Sequence, residues 1–196
     1  MTKDLQRIDL KVFVDAPENP DFDPILTAFA RWRHEADAPS DWVDLADYAH
    51  MSRGAGVVIV GKQGIFGVTR FDPGLGLYYS GRGEYEGSSA ERVLETFRRH
   101  LSLTAALVGE PEYPAALKTL AGSWELAIND RLDFPNNGET DRLLRPSIEA
   151  ALDKLFGPGG YEMVQDGDHQ RRYGFSIQAN STDLSQLLHT AESAAA

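Results

Sequence analysis

The 196-residue chain contains no cysteine. That absence removes disulfides, a thiol nucleophile, thiolate zinc sites and iron–sulfur ligation by thiolate. Cations are also scarce: 19 Lys and Arg stand against 30 Asp and Glu, giving a formal net charge of −11 and a pI near 4.8. A surface that binds duplex nucleic acid displaces counterions with clustered cations, and domains that do so have a pI above about 9. Nucleic acid and anionic membrane are therefore not expected as partners. Long apolar runs are missing too, the longest being Val57-Val58-Ile59-Val60, far short of the ~18 residues that cross a bilayer. Lys3, Asp4 and Arg7 stand where a secretory leader needs an unbroken apolar segment, so the expected location is the cytoplasm.

What is present is an ordinary globular composition, 42% hydrophobic, 10% aromatic and 25% charged, with enough apolar side chains for a sizeable core. The length predicts a single compact domain over 1–196, with a division into sub-domains 1–110 and 111–190 left open, and a frayed Ala-rich tail at 191–196.

Periodicity sets the expected elements. Ile8, Leu10, Val12 and Val14 alternate with Asp9, Lys11 and Phe13, the period of a half-buried strand. Asp23-Pro24 opens a helix over 24–36 that carries Ile25, Ala28, Phe29 and Trp32 inward. A second short helix is expected over 40–50, with Trp42, Leu45, Ala46 and Ala49 on one face. Short β-prone runs at 56–61, 65–71 and 75–80 are separated by the turn sequences Lys62-Gln63-Gly64 and Asp72-Pro73-Gly74. Ser88 and Glu91 form a capping-box pattern at the head of a helix reaching about 107. A hairpin turning at Ala121-Gly122 is expected over 117–129, then a helix over 139–156 that Pro146 kinks or restarts. A last hairpin brackets Asp166-Gly167-Asp168-His169, and a short helix follows Thr182. The sum is an α+β fold, mainly antiparallel sheet packed on one side by helices, with two similarly arranged halves.

Several chemical motifs fail on inspection. The run 56–62 has the letters of a phosphate loop as far as Lys62, but its interior is β-branched and Gln63 stands where a Ser or Thr must hold magnesium. The stretch 129–139 suggests a calcium loop, but Leu132 and Phe134 occupy ligand positions. No Gly-x-Ser-x-Gly, His-Glu-x-x-His or Ser-x-x-Lys pattern occurs. Arg98-Arg99 and Arg171-Arg172 are the basic clusters, and in so acidic a chain they are expected to pair with local carboxylates.

Three sets of side chains remain as candidates. Asp44, Asp47 and His50, spaced by three, would share one stripe of a 40–50 helix. Carboxylate and imidazole groups so arranged suit acid–base catalysis or a divalent metal held by Asp47 and His50. A solvated helix face explains the same residues more simply. Arg82 and Tyr85 lie in a Gly-rich connection before a helix N-terminus, where an anion or a partner could bind. Asn129, Asp130 and Asp133 lie in a polar turn after a strand, where binding residues concentrate. Two functions follow. The preferred one is a non-catalytic binding or assembly module that engages a protein partner or forms a homo-oligomer. The alternative is a small hydrolase that uses a divalent metal ion at Asp44, Asp47 and His50.

Overall fold

A computed structural model describes residues 5–35, 41–51, 54–71 and 74–195. The elements run β1 (Ile8–Asp15), α1 (Asp23–Trp32), β2 (Trp42–Asp47), β3 (Ala55–Gly61), β4 (Gly64–Thr69), β5 (Gly76–Gly81) and α2 (Ser89–Val108). They continue with β6 (Lys118–Ile128), α3 (Gly138–Phe156), β7 (Tyr161–Gln165), β8 (Gly174–Ala179) and α4 (Leu184–Ala195). The strands form one eight-stranded sheet in the order β2-β3-β4-β5-β1-β6-β8-β7, and each neighbouring pair is antiparallel. The fold is α+β, with four helices among the described residues packed against the sheet. The first strand of each half of the chain, β1 and β6, pair with one another at the middle of the sheet.

One hydrophobic cluster joins the helices to one face of the sheet. It includes Phe29 of α1, Phe97 and Leu101 of α2 and Ile148 of α3, with Leu10, Val12, Leu77, Trp124 and Phe175 from the strands. Side chains alternate along each strand, so Asp9, Lys11, Tyr78 and Glu125 belong to the opposite face. Among the described residues no helix is long and apolar enough to cross a membrane.

Several expected elements form as read. Ser88 and Glu91 make a reciprocal capping box on α2, Lys62-Gln63-Gly64 turns β3 into β4, and β7 and β8 pair as the last hairpin. The Asp72-Pro73 part of the next turn, and position 40 of the expected second helix, lie outside the described residues.

Other elements differ, each for a physical reason. The segment expected as a helix over 40–50 is the edge strand β2, with Leu45 opposite Ile59 and Ala46 opposite Val58. Its helical apolar spacing is overridden by ladder bonds to a strongly β-prone neighbour. The hairpin expected at Ala121-Gly122 is instead a bulge within one long strand. Val12 faces Trp124 and Val14 faces Thr119, so residues 120–123 loop out of the β1 ladder. A Cβ on Gly122 would stand 2.7 Å from the Ala179 carbonyl oxygen, so the glycine serves close strand approach rather than a turn. Pro146 sits inside α3 without ending it, because the surrounding Leu144, Ile148, Ala151 and Leu152 are all buried. The tail continues as α4 through Ala195, with Ala191 buried.

His100 lies in the middle of α2 and is fully buried. One ring nitrogen, Nε2, donates to the Leu77 carbonyl at 2.9 Å, while Thr104 Oγ1 lies 3.4 Å from Nδ1. Burial holds its pKa down at about 4, so the ring is neutral.

Candidate functional site: a cleft on the open face of the sheet

The register places the open-face side chains in rows across the strands. One row reads Gly67, Tyr78, Lys11, Glu125, Ser176 and Val164. The adjoining row contains Ser80, Asp9, Ala127 and Gly174. Charged groups thus stand at the centre of the sheet, flanked by small residues. Small side chains leave a hollow where a helix would otherwise pack.

Two loops overhang this hollow. Lys11 Nζ donates to the Phe71 carbonyl at 2.9 Å and the Gly74 carbonyl at 3.3 Å, which draws down the segment after β4. Arg172, just before β8, reaches back to Asp9 Oδ2. Between the loops lies a cleft of about 360 Å³ lined by Asp9, Thr69, Phe71, Glu125, Arg131 and Arg172, among others. A second hollow of about 290 Å³ shares Glu125, Ala127, Arg171 and Arg172 and extends across β8 to Val164. These volumes match clefts that bind small ligands or peptide side chains.

The electrostatics are tightly organised. Asp9 is only 2% exposed and Lys11 3%, and a buried charge must be paired. Asp9 Oδ2 accepts from Tyr78 Oη at 2.6 Å and from Arg172. Lys11 pairs with Glu125 at 3.1 Å, and Arg171 with Asp166 at 3.1 Å. Burial pushes the Tyr78 phenol well above its usual range, and the Asp9 carboxylate adds to the rise. The hydroxyl therefore stays protonated and donating. Burial opposes the Arg172 charge, but Asp9 and Tyr78 outweigh it and raise its pKa.

Two oxygens in the cleft wall are unsatisfied. Asp9 Oδ1 and Thr69 Oγ1 are buried with no hydrogen-bond partner among the described residues, and both residues line the cleft. An orphaned buried acceptor costs about 1–3 kcal/mol. In native proteins such groups are met by ordered water, an ion or a bound partner, or are retained as strain. Arg131 also lines the cleft. It takes part in none of the side-chain hydrogen bonds or ion pairs among the described residues.

The residues singled out from the sequence fall in three places. Asp44 and Asp47 are on β2, where a spacing of three puts them on opposite faces, so the helical stripe with His50 does not form. Asp44 Oδ1 accepts from the Leu45 amide and Asp47 Oδ1 from the Ala49 amide, both at 2.8 Å. Among the described residues no group of three or more His, Cys, Asp or Glu could hold a metal ion. Arg82 is exposed and its amide bonds the Gln63 carbonyl. Tyr85 is buried rather than on a rim, clamped by Gln6 at its amide and carbonyl, with its ring under Arg99. Asn129, Asp130 and Asp133 form the turn after β6, where Asp130 Oδ1 accepts from the Asp133 amide at 3.0 Å. That turn delivers Arg131 to the cleft.

The cleft residues themselves left a partial trace in the sequence. Asp9 and Lys11 stand on the polar side of an alternating strand, which predicts solvent unless distant chain covers it. Arg171 and Arg172 do pair with carboxylates, as do Arg98 and Arg99 with Glu95. What the sequence did not carry is that the partner of Arg172 is Asp9, from the opposite end of the chain. Comparison with protein-family models, with curated proteins and with solved structures finds no match to this chain.

Proposed function

We propose that the chain is a non-catalytic binding module whose open sheet face receives a protein partner. The observation that carries this reading is two separate orphaned oxygens, Asp9 Oδ1 and Thr69 Oγ1, in residues that line a cleft filled by none of the described helices. A folded chain keeps unsatisfied buried oxygens at a cost, and a bound segment that supplies donors removes it. Phe71, 48% exposed at the rim and edge-on to Tyr78, offers apolar contact beside them. Aromatic and Arg side chains around a desolvated hollow are typical of binding hot spots. Metal-dependent hydrolysis by Asp44, Asp47 and His50 rested on a helical stripe, and the strand there removes its support.

Site-directed photocrosslinking tests the reading. A benzophenone amino acid at Phe71 is compared with one at Leu143, which is exposed on α3. Adducts that form from position 71 and are lost with Thr69→Val support it. Equal adducts from both positions contradict it, and adducts only to a second copy, with a dimer mass by light scattering, replace the partner with self-assembly.

A further inference from the structure

We propose that the group recognised by the cleft is a carboxylate side chain on a peptide segment, with Arg131 as its cationic anchor. The inference rests on the binding-module reading and names the chemistry of the partner. The argument begins with the charges of the open face. Asp9 is matched by Arg172, Glu125 by Lys11 and Asp166 by Arg171. After those three pairs, Arg131 remains with no counter-ion among the described residues that line the cleft. The chain as a whole carries −11, so an acidic partner is repelled over most of its surface. Here the balance is reversed, and that reversal fixes orientation as well as attraction. Arg131 is exposed and lines the cleft, and its planar fork suits a carboxylate held by two parallel hydrogen bonds.

The orphan oxygens decide between a peptide and a simple acid. Asp9 Oδ1 accepts only, whereas Thr69 Oγ1 both donates and accepts. A free carboxylate such as acetate has no donor and leaves Asp9 Oδ1 unmet. A peptide presents an N–H and a C=O at every residue, so it satisfies Asp9 and Thr69 while its acidic side chain reaches Arg131. The continuation of the cleft past Ser176 to Val164 gives the rest of the segment room to lie along the face.

The test is an amide-resolved NMR titration of the full chain with three end-capped tripeptides that carry Glu, Gln or Lys between two alanines, and with sodium acetate. The Glu peptide is expected to shift the amides of Asp9, Thr69 and Arg131, and to saturate at a concentration at least tenfold below the Gln peptide. Arg131→Gln is expected to weaken that binding at least fivefold, and the same spectra show whether the variant is folded. The carboxylate assignment is overturned if Gln binds as well as Glu, or if Arg131→Gln leaves Glu binding unchanged. In those cases the cleft still binds peptide, and the binding-module reading survives. Acetate binding equal to the Glu peptide overturns the peptide assignment. If none of the probes moves a cleft amide, both the inference and the reading beneath it fail.

Discussion

Tyr78 donates to Asp9 Oδ2 at 2.6 Å, although the residue registered opposite Tyr78 on β1 is Lys11. The hydrogen bond therefore runs diagonally across the β1–β5 ladder, a reach that long aromatic side chains can span. It holds Oδ2 together with Arg172, while Oδ1 is buried without a hydrogen-bond partner among the described residues. Arg172→Met strips a buried carboxylate of its counter-ion and is expected to cost about 3 kcal/mol in urea unfolding. Tyr78→Phe removes one charge-assisted bond while Arg172 stays, for a smaller loss of about 1–2 kcal/mol. Asp9→Asn combined with Arg172→Met is expected to recover at least about 1 kcal/mol over the sum of the single losses. Strict additivity would show that the two groups do not interact.

The contrast between fold and site explains how far the sequence could be read. Strand alternation in 8–14, the Ser88 capping box and the Lys62-Gln63-Gly64 turn depend on residues within one or two turns of each other, and the structure contains all of them. The 40–50 segment failed because its spacing fits a helix locally, while pairing of Leu45 with Ile59 decided the outcome. Gly122 looked like a turn because glycine is read first as local flexibility, whereas the Ala179 carbonyl explains it. The cleft depends on pairs such as Asp9 with Arg172, separated by 163 positions, and no local pattern encodes such a meeting. Its nearest legible trace was the 129–133 turn, which carries Arg131 to the rim.

His100 sets an acid limit on stability. Its ring is buried and neutral with a pKa held down to about 4, while an unfolded histidine titrates near 6.5. As pH falls through this window the unfolded chain binds the proton first, so stability declines from about pH 6.5 and stops declining on this account below about pH 4. A gap of that size is worth about 3 kcal/mol. His100→Gln keeps an N–H for the Leu77 carbonyl and removes the titration. Its urea midpoints are expected to fall less steeply than those of the native chain over pH 4–6.5, and parallel curves would rule out His100 as the cause.

Lys11 fastens the loop after β4 to the sheet. Its ammonium reaches the Phe71 and Gly74 carbonyls and the Glu125 carboxylate. Lys11→Met retains much of the apolar stem and loses these contacts of the ammonium, together with its place over the Phe13 ring. Bonds to a charged group contribute about 1.5–3 kcal/mol, so amide hydrogen exchange at Phe71, Gly74 and Leu75 is expected to accelerate at least tenfold. Exchange in α3, on the other side of the sheet, is expected to change only as far as global stability does. Unchanged exchange in the loop would mean that backbone bonds such as Gly74 N–H to the Phe71 carbonyl suffice to hold it.

Two glycines separate close packing from open space. A Cβ on Gly67, in the middle of β4, would stand 2.2 Å from the Val57 carbonyl oxygen and 2.7 Å from Val58 Cα. Both obstacles are backbone, so neither can rotate away, and the β3–β4 ladder must part to admit a methyl group. Gly67→Ala is expected to destabilise the chain by roughly 2 kcal/mol or more, in the range of overpacked interiors. Gly138 opens α3 behind the Asn137 cap, and a Cβ there meets nothing within 4 Å. Gly138→Ala reduces the freedom of the unfolded chain without strain, and is expected to raise stability by about 0.4–1 kcal/mol. Thermal unfolding of the two variants beside the native chain is expected to move the midpoint in opposite directions. A Gly67→Ala protein as stable as the native chain would show that β3 and β4 can separate without loss, which would also loosen the floor beneath Tyr78.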